Sequence, residues 1–337
     1  MVSLGFFDFS VDSVFSVVKT PIFKISPRKT RSARKRDINL NRRIFLFLLV
    51  ISLFSINIFA QKVDDDIISV DSSIVVMNAA ITDAKGKAVG GLNQKLFHVF
   101  EDGVEQKISI FAAEETPFAA VILLDTSGSM EERVTLARAA AIQFLDGLRA
   151  EDFVSVYNFD SKVNMVQDFS NSRDLRDQAF DLKADGMTVL NDAVYKAAEV
   201  LSKRPEKRRA IIILSDGADT MSKKSTEKAL QSALLIGATV YTVDMAPAND
   251  ISRDHLMGKD VLQKFADKTG GKYVSTPGGL AMRDAFRRIV EELGVQYTIA
   301  YEPANTKKDG KWRTIELKIS RPNLTIRTRK GYNAPKK

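Results

Sequence analysis

The stretch Ala119-Ala120-Val121-Ile122-Leu123-Leu124-Asp125-Thr126-Ser127-Gly128-Ser129 decides the fold. Six apolar residues without a polar break read as a strand buried on both faces. Behind it, Val134, Ala137, Ala141, Phe144, Leu145 and Leu148 recur at helical spacing. The alternation then repeats. Strands are expected over 153–159, 210–214, 239–243 and 273–275, and helices over 190–201, 229–235 and 282–293, with another around Val261, Leu262, Phe265 and Ala266. Strands and helices alternating at these lengths predict an α/β domain: a Rossmann-like open, mostly parallel sheet with helices on both faces.

On either side of this domain the hydrophobic period is two. Residues 73–111 carry short apolar runs, a turn at Asp83-Ala84-Lys85-Gly86, and Asp102-Gly103, a favoured hairpin turn leading to Ile108 and Ile110. Residues 297–301, 315–319 and 324–328 read as three C-terminal strands, with a turn at Asp309-Gly310. Neither segment can bury a core alone, so the two are expected to pack as one small β module. The organisation is then 1–61 as an N-terminal address, 62–117 and 295–337 as β segments, and 118–294 as the α/β domain.

Composition excludes several chemistries. The 337 residues contain no cysteine and two histidines, which removes disulfides, thiolate sites, a cysteine nucleophile and a multi-histidine zinc site. The net charge of +8 is unevenly placed, with +7 in residues 1–61, +9 in 307–337 and −8 between them. An acidic folded core argues against nucleic acid as a partner.

Residues 28–43 hold eight Lys and Arg, and an apolar run follows over 44–60, broken by Ser52, Ser55 and Asn57. A basic flank, an apolar stretch and a small residue at its end are the parts of a secretory signal, with Gln61 expected as the first residue after cleavage at Ala60. Seventeen residues also suffice, at the lower limit, for an uncleaved anchor. Either way the remainder is expected to be exported: secreted, periplasmic or attached to the cell envelope. Membrane contact is expected through this N-terminal segment if it is uncleaved.

Chemistry concentrates beyond the carboxyl ends of the buried strands, where open α/β sheets bind ligands. Asp125, Ser127 and Ser129 alternate in the turn after the first strand. Gly186-Met187-Thr188 opens the helix near Leu190, and Ser215-Asp216-Gly217 ends the second buried strand. Asp125, Ser127, Ser129, Thr188 and Asp216 thus offer two carboxylates and three hydroxyls, the hard oxygen ligands that Mg²⁺ and similar dications take. Helix capping accounts for one or two of the hydroxyls but not for both aspartates. Asp192 is expected as a first-turn helix carboxylate, Asp219 and Thr220 as caps before Ser222, and His98 and His255 as surface residues, His255 in a loop.

These elements resemble a von Willebrand factor A domain with a metal-ion-dependent adhesion site. The family's Asp-x-Ser-x-Ser, Thr and Asp elements match Asp125, Ser127, Ser129, Thr188 and Asp216 in order, over about 118–294. The threonine loop usually reads Gly-Gly-Thr, and Met187 stands in place of the second glycine. The wider layout is similar to a bacterial group of exported von Willebrand factor A–related proteins. It includes a segment like Phe100-Glu101-Asp102-Gly103 before the domain and one like Gly310-Lys311-Trp312-Arg313 after it. The resemblance implies a bound Mg²⁺, or Mn²⁺ or Ca²⁺, held directly by Ser127, Ser129 and Thr188, with Asp125 and Asp216 acting directly or through water. It also implies a protein partner whose acidic side chain completes the metal's shell.

Enzyme readings fare worse. The aspartic-protease and haloacid-dehalogenase patterns each require another residue where Ser127 stands, and no Gly-x-x-x-x-Gly-Lys-Ser/Thr loop is present. A metal-assisted hydrolase needs a positioned base, and none stands in these loops. The expected function is an exported, metal-dependent protein-binding module. The alternative is a structural or assembly component in which the metal only staples loops.

Overall fold

The computed structural model describes residues 74–336 apart from 114–115, 176–181, 183, 248 and 276–278. The N-terminal address over 1–61 lies outside these residues. Among the described residues no helix is long and apolar enough to cross a membrane.

The central sheet is built on β5 (Phe118–Asp125), which is buried at every position. β5 pairs in parallel with β6 (Phe153–Phe159) on one side and β8 (Arg208–Ser215) on the other. β9 (Ala238–Asp244) and the short β10 (Tyr273–Ser275) extend the sheet in parallel beyond β8. The far edge is β7 (Val163–Ser170), antiparallel to β6. Sequence analysis does not find β7, because Asn164, Gln167 and Asp168 interrupt its apolar residues at an irregular, bulged edge.

Alternation along β5 divides the apolar residues between two cores. Phe118, Ala120, Ile122 and Leu124 face α1 (Val134–Asp146) and α5 (Gly279–Gly294), where Phe144 stacks edge-on between Phe118 and Phe286. Ala119, Val121 and Leu123 face the other way, onto α2 (Leu190–Ser202), α3 (Thr226–Leu235) and α4 (Arg253–Thr269). The architecture is the mostly parallel, doubly covered sheet expected of a von Willebrand factor A fold, with additional antiparallel sheets.

Those additional sheets interleave the two flanking segments. β1 (Val75–Asp83) lies between β11 (Tyr297–Tyr301) and β13 (Leu324–Thr328), and β4 (Ile108–Ala112) lies beyond β11. In the second sheet, β2 (Phe97–Glu101) sits between β3 (Val104–Gln106) and β12 (Trp312–Ile319), with β14 (Gly331–Asn333) at the far edge. Each sheet takes two strands from each segment. Asp102 and Gly103 both adopt positive φ, 48° and 83°, and close the β2–β3 hairpin. Two expectations change here. Val104–Gln106, and not the stretch around Ile108 and Ile110, returns from the hairpin, while β4 crosses to the other sheet. The C-terminal segment also has a fourth strand, β14, whose three residues are too few to show a period.

Met77, Ile81, Phe97, Val99, Tyr297, Ile299, Tyr301 and Ile315 form the module's core, and Phe97 lies 5.0 Å from both the Phe111 and Tyr297 rings. No residue beyond Leu293 belongs to either core of the α/β domain. Deleting residues 296–337 should therefore strip both neighbours from β1 and leave residues 118–294 folded. Hydrogen exchange checks this: amides of β1 and β2 should lose protection, and those of β5 and β8 should keep it.

Candidate functional site

β5 ends inside the protein. Asp125 has no exposed surface, and Ser127 is 1% exposed. The Asp125 carboxylate accepts three hydrogen bonds. Oδ1 takes the Ser127 amide at 2.9 Å and the Ser127 hydroxyl at 2.6 Å, and Oδ2 takes the Ser215 hydroxyl at 2.5 Å. Burial pushes the Asp125 carboxyl up to about 7, and the negative charge of Asp216 adds to the rise, while the Ser127 and Ser215 hydrogen bonds pull it back. Ser127 Oγ also lies 3.2 Å from Ser129 Oγ, so the three residues of the first turn form one cluster, with Ser129 exposed at its outer end.

Backbone hydrogen bonds tie the threonine loop to this turn. The Gly128 amide donates to Gly186 O at 3.2 Å, and the Asp185 amide to Thr126 O at 3.0 Å. Gly186 takes φ +77°, and a Cβ there would stand 2.5 Å from Ser161 Oγ, which accepts the Met187 amide at 3.0 Å. Thr188 is buried, and its hydrogen bonds run to the Asp216 side of the site. Its amide donates to Thr220 Oγ1, and its carbonyl accepts from the Thr220 and Met221 amides, each at 3.0 Å. No hydrogen bond joins the Thr188 hydroxyl to Asp125 or Asp216.

The third loop follows β8. Asp216 is half-buried, and its Oδ1 accepts the Ala218 amide at 3.0 Å. Gly217 has φ +83°, and a Cβ there would meet Gly258 O at 2.3 Å. Gly258, inside α4, faces back in the same way, with its missing Cβ 2.5 Å from Asp216 O. Two glycines thus let a helix lie against the aspartate loop.

The five residues expected from sequence lie in three loops joined by these bonds at one edge of the sheet. No cationic side chain pairs with Asp125 or Asp216 among the described residues. Nor is there, among those residues, a group of three or more Asp, Glu, His or Cys placed to hold a metal. A cation here depends on two carboxylates completed by hydroxyls, and those donors suit a hard dication.

Several residues that shape the site are not legible in the sequence. Ser215 holds Asp125 directly. Asp219 was expected to cap before Ser222, and its Oδ1 does accept that amide at 3.0 Å. Its Oδ2 also takes the Asn191 amide at 2.7 Å, so it caps α2 from a different loop. Asp192 accepts the Lys223 and Lys224 amides and fastens the same loop to the first turn of α2. His255 is corrected: it lies in the first turn of α4 and not in a loop, and its side chain is 11% exposed with Nε2 3.8 Å from Asp244 Oδ2.

Comparison with known proteins bears on the domain that carries these loops. The family model for the von Willebrand factor type A domain matches residues 120–218, and the chain contains such a domain. The chain is 23% identical over 214 residues to bovine inter-alpha-trypsin inhibitor heavy chain H4, covering 56% of this chain and 22% of that protein. It is 29% identical over 123 residues to the rat voltage-dependent calcium channel subunit alpha-2/delta-3, covering 32% of this chain and 11% of that one. The chain therefore spans about a fifth or less of the curated relatives it matches. Among solved structures, a von Willebrand factor type A protein from Catenulispora acidiphila aligns with TM-score 0.44 and 16% identity, over 77% of this chain and 73% of that one.

The contact between Gly217 and Gly258 gives a prediction of unusual sign. Gly→Ala inside a helix ordinarily stabilises by about 1 kcal/mol. Gly258→Ala should instead cost about 1–3 kcal/mol, because the new methyl meets backbone that cannot move without shifting the Asp216 loop. Urea unfolding of the variant checks it, and an unchanged or raised midpoint would contradict the close packing.

Proposed function

We propose that this protein is an exported binding module and not an enzyme. In this reading it engages a protein partner through a divalent cation held by Asp125, Ser127, Ser129, Thr188 and Asp216. The observation that carries the reading is the pairing of a fully buried carboxylate with a second one, Asp216, where no side-chain cation among the described residues offsets either. Two carboxylates and three hydroxyls in hydrogen-bonded loops suit Mg²⁺, Mn²⁺ or Ca²⁺, with charge neutralised and coordination positions left open. Bound there, the cation supplies a Lewis-acidic point that an acidic side chain of the partner can reach.

The chain's own residues do the rest. Ser215 and Ser127 hold the Asp125 carboxylate in one orientation, and the Gly128–Gly186 hydrogen bond holds the threonine loop against the first turn. Ser129, at the exposed end of the cluster, and half-buried Asp216 stand where a partner can approach. The von Willebrand factor A domain supports an interaction role. The calcium-channel and inhibitor subunits that share it lend that role further support.

Melting temperature against Mg²⁺ concentration tests the site. Wild type should gain stability by mass action, about 2.7 kcal/mol at a hundredfold excess over Kd. Asp216→Ala should be at least as stable as wild type without metal, since it removes a like charge from Asp125, and should lose the response. Ser127→Ala should keep a weakened response, because it removes a dipole and not a charge. A wild-type curve flat in Mg²⁺ and Mn²⁺ would sink the assignment. Partner binding that survives EDTA would favour the reading in which the metal only staples loops.

A further inference from the structure

Residues 307–337 carry a net charge of +9, against −8 over 62–306. The structure folds part of this basic segment into β12 and β14 of one sheet and β13 of the other. At the start of β12, Trp312 is 39% exposed on the outward row of the strand, and it is the only tryptophan of the chain.

One lysine lies over the indole, and three more belong to backbone that is hydrogen-bonded or packed beside it. Lys268, in the last turn of α4, places Nζ 5.9 Å from the ring centroid. The Lys330 amide donates to Lys268 O at 3.1 Å, which brings the two lysines side by side. Lys311 precedes the tryptophan, and its carbonyl accepts the Ala334 amide at 2.8 Å. The Lys336 stem lies across Gly310, where a Cβ would stand 2.5 Å from Lys336 Cε. All four lysines are exposed, and none forms an ion pair among the described residues. The nearby Asp309 is held by Arg313 at 3.0 Å. The ring itself packs on Gly331, which has no room for a Cβ beneath it, so the indole is presented rigidly.

The same corner receives the start of β1. Arg329, beside Lys330, donates from Nη1 to Val76 O at 3.2 Å. In the sequence, fourteen residues separate Val75 from the apolar run over 44–60. Gly258, which touches the Asp216 loop, lies ten residues before Lys268 on α4, about 15 Å along the helix axis.

We propose that Trp312, Lys268, Lys311, Lys330 and Lys336 form a face that docks on anionic phospholipid headgroups. An indole with one polar atom suits the headgroup layer, and clustered lysines are drawn to an anionic leaflet over about a Debye length. The acidic remainder of the fold is repelled by the same surface, so the charge asymmetry orients the molecule. Docked this way, the protein holds its candidate cation site away from the membrane. The proposal is independent of whether that site binds metal.

Because Trp312 is the sole tryptophan, its emission reports on this face alone, whatever the N-terminal apolar run does. Full-length protein should be mixed with vesicles of phosphatidylcholine, with or without phosphatidylglycerol. The emission should shift to the blue and be quenched by brominated lipid only with the anionic vesicles, and about 1 M NaCl should reverse both. Lys268→Glu with Lys330→Glu should lower this response by about thirtyfold or more. Lys223→Glu with Lys224→Glu, an equal charge change beside α2, should leave it intact. The proposal is overturned if Trp312 is indifferent to anionic lipid, or if it responds equally to neutral vesicles. A full response in the 268/330 variant overturns it too, as does a response to soluble polyphosphate with none to vesicles.

Discussion

A carboxylate without exposed surface stands at the end of the most buried strand, and the loops around it are arranged to tolerate that burial. An ionised group in such a place is costly unless hydrogen bonds satisfy it. Asp125 receives three, from Ser127 twice and from Ser215 once. Those donors belong to the turn after β5 and to the last residue of β8, so satisfying one carboxylate fixes the ends of two neighbouring strands relative to each other. The third loop is joined through Gly128–Gly186 and Asp185–Thr126. In a low-dielectric setting a network of this kind specifies one arrangement, because any slip leaves a buried oxygen unpaired.

The placement of the α/β domain follows from the same economy of connections. β4 and β11 are antiparallel neighbours, with Ala112 opposite Thr298. The chain leaves the β module at the end of one strand and returns at the start of its partner. The whole α/β domain therefore occupies the position of a hairpin loop. Insertion at such a point is tolerated because the two ends of the insert are already close. Arg208, 1% exposed, seals the junction by donating to Gly294 O and reaching Thr298 Oγ1. Arg327 of β13 pairs with Glu292 of α5, whose other oxygen accepts the Tyr241 hydroxyl at 2.6 Å.

The α/β layout was legible in the sequence because its strands are buried on both faces and its helices keep one apolar stripe. The continuous run ending at Leu124 and the spacing from Val134 to Leu145 can each be read without tertiary knowledge. β7 and β14 were not legible. One is an irregular, bulged edge on which Gln167 is buried and Met165 exposed, and the other is three residues held by pairing with β12. In the site, the residues that carry the carboxylates and hydroxyls lie in short motifs and stood out. The residues that hold those motifs did not, since Ser215, Asp219 and Ser161 act across 26 to 90 positions of chain. An isolated Asp or Ser in a loop reads as a local cap, and only the fold shows which distant amide or carboxylate it serves.

Met187 shows how a departure from a family pattern is absorbed. Two glycines before a threonine suggest a loop that needs unusual backbone at both positions. Here only Gly186 takes positive φ, at +77°, and only it lacks room for a side chain, against Ser161. Met187 has no positive φ, so an L side chain costs nothing there. Its amide is held by Ser161 Oγ, and its side chain extends outward, 52% exposed, with Sδ 3.6 Å from Thr220 Oγ1. Thr220 Oγ1 in turn accepts the Thr188 amide. The methionine sulfur therefore accepts from the same hydroxyl that holds the Thr188 amide. The loop keeps its path with one glycine because the second position is anchored by a serine from the β6–β7 turn and by a threonine from the Asp216 loop.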